Sequence, residues 1–73
     1  MAVLQKIALL QGKLRQAEQA IADYVMAHSQ QIRQLSSQEL AQAVGVSQAT
    51  VVRFTQKLGY KGYPDFKFAI SDH

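Results

Sequence analysis

The side chains best suited to recognise another molecule are concentrated in residues 48–58. If this segment is an α-helix, a rotation of about 100° per residue puts Val51, Phe54, Thr55 and Leu58 on one side. The opposite side has no acid and carries a set of side chains that we call the reading face: Gln48, Ala49, Thr50, Arg53 and Gln56. A guanidinium can donate two hydrogen bonds to guanine, amides and hydroxyls can donate to other base edges, and an alanine methyl can lie against thymine. The segment therefore predicts base reading in the major groove of DNA.

The positive charge of the chain lies around the same segment. Eight Lys and Arg stand against five Asp and Glu, a formal net charge of +3. No acid occurs in residues 40–64, which contain Arg53, Lys57 and Lys61, so this stretch accounts for the whole excess. Helix amino ends and basic side chains are the usual phosphate ligands. The predicted phosphate contacts are Ser36, Ser37, Ser47, Lys57 and Lys61.

Capping residues predict how these side chains are positioned. Ser36 and Glu39 have the Ser-x-x-Glu spacing of a capping box, so a helix is predicted to begin at Ser36 or Ser37. Gly45 predicts its end, because glycine adopts the left-handed backbone that follows many helices without a Cβ clash. Ser47 is the predicted N-cap of the second helix.

Residues 36–58 thus have the layout of a helix-turn-helix, two capped helices joined by a short turn. Ala41 is small where the helices must cross closely, and Val46 can fill the corner between them. An ordinary helical hairpin with a glycine turn and a solvated basic face remains open as an alternative to DNA recognition.

The rest of the chain is also helical in composition. Four Gly and one Pro leave few breaks, and no stretch shows the alternation of a strand. We predict an all-α fold, a compact bundle of five to six helices that contains the helix-turn-helix. The remaining predicted helices are residues 3–10, residues 15–28, a short helix capped by Ser29 that contains Ile32 and Leu35, and a last helix from Pro64 that carries Phe66 and Ile70.

Length and composition exclude several function classes. A chain of 73 residues makes one domain and must use nearly all of its 48% hydrophobic residues for a single core, which leaves little to wall a substrate cavity. With no Cys and two isolated His, it shows no disulfide framework, metal-ligand spacing or catalytic triad. We therefore expect no enzyme activity, no cofactor and no metal. No apolar run is long enough to cross a membrane, and we expect a cytoplasmic protein without membrane contact.

An apolar stripe along the first helix predicts self-association. Val3, Ile7, Leu10 and Leu14 follow one another at spacings of four, three and four residues. We expect a core this small to cover the stripe only in part, and an uncovered apolar stripe is a self-association surface. We predict a homodimer that binds a palindromic operator in double-stranded DNA. The alternative function is a helical protein-protein dimerisation module without DNA binding.

Taken together, these motifs resemble the N-terminal DNA-binding domain of the RpiR-type bacterial transcriptional regulators. The resemblance extends over essentially the whole chain, and its most specific parts are the Arg53-Phe54 pair and the tail from Leu58 to Tyr63. The matching residues are Glu18, Ala22 and Tyr24, Glu39-Leu40-Ala41, Gly45-Val46-Ser47, residues 50–54, residues 57–63 and Asp65-Phe66-Lys67.

This resemblance implies more than the residues alone. It implies a winged-helix-like or extended helical fold, dimeric binding to palindromic operators, and regulation, typically repression, of sugar and carbon metabolism genes. It also implies that residues 1–73 are the N-terminal DNA-binding domain of a longer protein, whose C-terminal sugar isomerase domain binds a phosphosugar effector. Gln56 departs from the family, which often has a basic residue there. Arg15 and Ala17 replace the usual Ser or Thr, so the second helix is predicted to have a weak N-cap and could continue from the first through Gly12.

Overall fold

The structure is a computed structural model that describes residues 2–71. This part of the chain is all-helical. Its helices are α1 (Ala2–Leu9), α2 (Gln16–Ala27), a short 3₁₀ helix (Gln31–Gln34), α3 (Ser37–Val44), α4 (Gln48–Lys57) and α5 (Tyr63–Ser71). The predicted all-α bundle is confirmed. Because residues 2–71 contain no strand, this part of the chain has no wing, and the winged form implied by the resemblance is not the fold.

Local hydrogen bonds place the ends of α3 and α4 where the capping residues predict them. The Glu39 amide donates to Ser36 Oγ at 3.1 Å, and the Ser36 amide donates to Glu39 Oε1 at 2.8 Å. Gly45, at φ +91°, ends α3 in the left-handed region. The Thr50 amide donates to Ser47 Oγ at 3.1 Å and begins α4. Each of these caps satisfies backbone donors that a helix end otherwise leaves unpaired.

The start of α2 is capped by one hydrogen bond instead of the reciprocal pair. The Arg15 amide donates to Glu18 Oε1 at 2.9 Å, but a guanidinium has no acceptor atom with which to complete a capping box. The weak N-cap predicted here is confirmed. Gly12, at φ +87°, lies in the turn between α1 and α2, so the two helices do not run together.

The segment after α2 corrects one prediction. Ser29 does not cap a helix: the residue before the 3₁₀ helix is Gln30, and its side chain makes no capping hydrogen bond. A 3₁₀ helix forms here instead of an α-helix because a few residues are too short a segment to repay α-helix nucleation. Ile32 is nevertheless fully buried, and the Tyr63 hydroxyl donates to the Leu35 carbonyl at 2.7 Å, which ties this segment to α5.

The core draws apolar side chains from every helix. Phe54 of α4 and Phe66 of α5 are both 0% exposed, and their rings meet edge to face with centroids 6.2 Å apart. The buried side of α4 is the predicted one: Val51, Phe54, Thr55 and Leu58. This burial fixes the rotation of α4 about its axis and therefore turns the reading face outward.

The predicted dimerisation stripe is corrected by the same core. Val3 and Ile7 are 1% and 0% exposed because α1 packs against α5 of its own chain. Leu10 and Leu14 are partly buried and pack against the same cluster. The stripe is therefore part of the monomer core. The coverage comes from α5, which folds back onto α1 from the other end of the chain.

Candidate nucleic-acid interface

The helix-turn-helix is formed by α3 packing across α4. Ala41 of α3 is only 4% exposed, and its small side chain is compatible with the close packing of α3 on α4. The Val46 amide donates to the Ala41 carbonyl at 3.0 Å, and the left-handed Gly45 reverses the chain between them. These contacts set the angle at which α4 leaves the turn, and with it the direction of the reading face.

All five residues predicted for the reading face lie on the side of α4 away from the core. Gln48, Ala49, Arg53 and Gln56 are exposed, and Thr50 is half-buried. The burial pattern thus brings the predicted base-reading set onto one accessible surface. No acid of α4 interrupts this surface.

A chain of hydroxyl contacts orients the strongest base-reading candidate. The hydroxyls of Ser47 and Thr50 lie 2.7 Å apart and share a hydrogen bond. Arg53 Nη2 donates to Thr50 Oγ1 at 3.4 Å. The cap of α4 therefore also restrains the guanidinium, which reduces the conformational entropy that Arg53 must lose on binding. Helical spacing placed these residues together, but it did not predict the hydrogen bonds between them.

Two glutamines of the reading face also make contacts within the chain. Gln48 Nε2 donates to Ser37 Oγ at 2.8 Å and links the amino ends of α4 and α3. Gln56 Nε2 donates to the Lys61 carbonyl at 3.1 Å and holds the loop after α4. Each amide keeps its carbonyl oxygen and one further N–H for another partner.

The phosphate candidates other than Lys57 lie at three places in the helix-turn-helix and the loop that follows it. Ser36, Ser37 and Ser47 lie at the amino ends of α3 and α4. Unpaired backbone amides and the helix dipole favour an anion at such ends. Lys61 is exposed in the loop that follows α4. These positions flank the reading face, as phosphates flank the bases in a groove.

Lys57 has a partner that the sequence does not predict. Its Nζ lies 3.0 Å from Glu18 Oε1 and 3.4 Å from the Lys13 carbonyl oxygen. The hydrogen bond from the Arg15 amide, aided by Lys57, lowers the pKa of the Glu18 carboxyl, so Glu18 is ionised near neutral pH. Lys57 was predicted to contact phosphate, but its ammonium is paired with the Glu18 carboxylate. No local pattern signals this pair, since the residues are 39 positions apart.

The Glu18–Lys57 pair lies in a groove between α2 and α4. The groove measures about 500 Å³ and is lined by Arg15, Ala17, Glu18, Thr50, Arg53 and Lys57. Thr50 and Arg53 belong to the reading face, so the groove opens directly beside it. The amino end of α2 is therefore part of the surface that surrounds the reading face.

Among residues 2–71, no three His, Cys, Asp or Glu side chains come together in a group that could hold a metal ion. None of the described helices has the length and apolar character needed to cross a lipid bilayer.

The packing of α3 on α4, with a polar and basic outer face, defines a helix-turn-helix domain of the DNA-binding class. Comparison with known proteins agrees: residues 1–73 match the family described as "Helix-turn-helix domain, rpiR family", and the chain belongs to this family. It is also similar to the uncharacterized HTH-type transcriptional regulator YfhH of Escherichia coli (strain K12). The two are 51% identical over 59 residues, which is 81% of this chain and 21% of YfhH. The chain thus spans about a fifth of the length of this relative.

Proposed function

We propose that this domain binds double-stranded DNA sequence-specifically, with α4 in the major groove, as the operator-binding part of a transcriptional regulator. The observation that carries the proposal is the acid-free reading face, turned outward by the burial of Val51, Phe54 and Thr55 on the other side of α4. Membership of a helix-turn-helix family supports it. An α-helix of this kind has the diameter that the major groove admits.

Each reading-face residue has a distinct proposed role. Arg53 reads guanine through its paired N–H donors, and Ala49 contacts a thymine methyl. Thr50 orients Arg53 and can donate to a base edge itself. Gln48 and Gln56 use the amide atoms that their contacts within the chain leave free. The proposed phosphate ligands are Ser36, Ser37, Ser47 and Lys61, and Lys57 is not among them because Glu18 holds its ammonium.

We further propose that two copies bind a palindromic operator. A two-fold axis would place two α4 helices in successive major grooves about 34 to 36 Å apart on one side of the duplex. Because Val3 and Ile7 are buried within the monomer, we place the contact between copies outside these two residues. This homodimer is supported by the resemblance to a family of dimeric regulators.

The finer biological role rests on family resemblance alone. We propose a bacterial, cytoplasmic regulator, typically a repressor, of sugar and carbon metabolism genes. Its phosphosugar effector would act through a C-terminal sugar isomerase domain outside these 73 residues. This domain itself would require no cofactor and catalyse no reaction.

Binding to duplex DNA across a range of salt concentrations tests the proposal. The probe is a fluorescent mixed-sequence duplex. The logarithm of its binding constant should fall linearly with the logarithm of the salt concentration, with a slope of about 0.9 for each phosphate contact. Selection from a pool of genomic fragments should then enrich one palindromic motif. Absence of duplex binding even at low salt would refute the proposal and favour a protein-protein dimerisation module. Binding without enrichment would refute its sequence specificity.

A further inference from the structure

We propose that Glu18 is a positioning residue that holds Lys57 away from the DNA backbone and so limits sequence-independent binding. This inference rests on the proposed function, because it concerns how the same surface meets DNA. It assigns a role to an acid of α2, a helix outside the helix-turn-helix.

The geometry of the carboxylate carries the inference. Glu18 Oε1 accepts the Arg15 amide at 2.9 Å and Lys57 Nζ at 3.0 Å, so one oxygen links the first turn of α2 to the last turn of α4. The Glu18 side chain is only 13% exposed and that of Lys57 is 35% exposed. The Arg15 contact fixes the carboxylate to the backbone, which makes it a stationary partner for the flexible lysine.

The location of the pair makes it relevant to DNA. Glu18 and Lys57 line the same groove as Thr50 and Arg53, which belong to the reading face. A duplex seated on the reading face therefore brings phosphates close to this groove. An ammonium has three N–H donors, and Glu18 and the Lys13 carbonyl already take two of those of Lys57. Glu18 also offsets the charge of Lys57, so a phosphate gains the full attraction of this ammonium only if it leaves Glu18, whose carboxylate would then face the polyanion without its partner.

The consequence concerns specificity more than affinity. Phosphate contacts strengthen binding to every duplex, whereas base contacts discriminate between sequences. If Lys57 does not bind phosphate, the affinity for the large excess of non-specific sites is lower. Arg53 is still available to contact bases. The ratio of specific to non-specific binding is the quantity that matters to a regulator.

Replacing Glu18 by glutamine separates the two roles of the carboxylate. Glu18→Gln keeps the side-chain shape and an oxygen that can accept the Arg15 amide, but removes the charge that attracts Lys57. The probe is a mixed-sequence duplex, so no operator need be known. The salt slope should steepen by about 0.9, the value for one added phosphate contact. If both proteins bind equally on extrapolation to 1 M salt, the variant then binds about eightfold more tightly at 0.1 M.

A double-mutant cycle with Lys57→Met identifies the cation responsible. Lys57→Met alone should leave the slope unchanged, since the pair holds this lysine off the duplex. In the Glu18→Gln background, Lys57→Met should return the salt slope to that of the parent. If Glu18→Gln strengthens binding equally with and without Lys57, simple loss of a negative charge explains the effect and the proposal is overturned.

Asp23→Asn provides a matched control on the same helix. Asp23 is exposed, accepts a hydrogen bond from Gln19 at 2.9 Å, and lies about 140° around α2 from Glu18. Its replacement also removes one negative charge but should not change the slope. A steeper slope for Asp23→Asn, equal to that of Glu18→Gln, would overturn the inference.

Two results distinguish failure of the inference from failure of the function. Thermal unfolding of each variant, followed by circular dichroism, ensures that only folded proteins are compared. If the parent binds duplex DNA and Lys57→Met alone makes its slope shallower by about one unit, Lys57 is an ordinary phosphate ligand and only the inference fails. If none of the proteins binds duplex DNA, the proposed function fails with it.

Discussion

Replacing Phe54 by alanine tests whether α4 is rotated as the structure shows. Phe54 is 0% exposed and packs edge to face on Phe66, with ring centroids 6.2 Å apart. Truncating a buried phenylalanine to alanine costs about 3 to 5 kcal/mol. A domain of 73 residues at roughly 0.05 to 0.15 kcal/mol per residue has about 4 to 11 kcal/mol of total stability. The substitution therefore removes between about a quarter and all of the free energy of unfolding.

Urea unfolding followed by circular dichroism at 222 nm measures this loss directly. With a denaturant slope of about 1 kcal/mol per molar, typical of a small domain, the midpoint should fall by about 3 M or the variant should be unfolded without urea. Arg53→Ala is the matched control, since it truncates the preceding residue on the exposed side of the same helix. Its midpoint should stay within about 0.5 M of the parent, because a surface substitution changes stability by only about 0.5 kcal/mol.

The paired result decides the orientation of α4. A Phe54→Ala midpoint equal to that of the parent would mean that Phe54 faces solvent and that the assignment of the reading face is wrong. Any loss of DNA binding by Phe54→Ala is expected to follow from unfolding, so its binding should recover in proportion to the folded fraction when a stabilising osmolyte is added.

The remaining predictions concern binding, packing and pH. Arg53→Ala should lose about 1 to 3 kcal/mol of discrimination against the wrong base; unchanged competition between cognate and scrambled duplexes would remove Arg53 from the reading face. Lys61→Ala should weaken all duplexes alike and make the salt slope shallower by about one unit, whereas sequence-selective loss would argue against a phosphate contact. Ile7→Glu should unfold the monomer, because Ile7 is 0% exposed; a folded monomeric variant by sedimentation and circular dichroism would restore the α1 stripe as a dimer surface. Hydrogen bonds from backbone amides at their N-caps lower the pKa values of Glu18 and Glu39 in the folded state. The stability they contribute is therefore present above their unfolded pKa of about 4.5 and is lost as pH falls through the lower folded values; a urea midpoint that does not decline between pH 5 and pH 3 would contradict this.

Short-range interactions explain why the helix-turn-helix could be predicted from the sequence. The capping box joins Ser36 to Glu39 and the α4 cap joins Ser47 to Thr50, each across three residues. Gly45 ends α3 through its own backbone freedom. The side of α4 that becomes buried follows from the 3.6-residue period, which needs only local helix geometry. None of these depends on how distant parts of the chain meet.

Contacts between distant segments were decided by the tertiary structure. Whether Val3 and Ile7 face solvent depends on α5 folding back across α1, and periodicity shows that a face is apolar without showing what covers it. Likewise, Lys57 lies in an acid-free stretch of sequence, yet α2 packs against α4 and brings Glu18 to 3.0 Å from its ammonium. The sequence by itself determined the capped helices, the left-handed turn and the outward set of base-reading side chains. Only the closing of the bundle decided which of the basic groups near that face are free to meet a phosphate, because ion pairing depends on distance in space and not on separation along the chain.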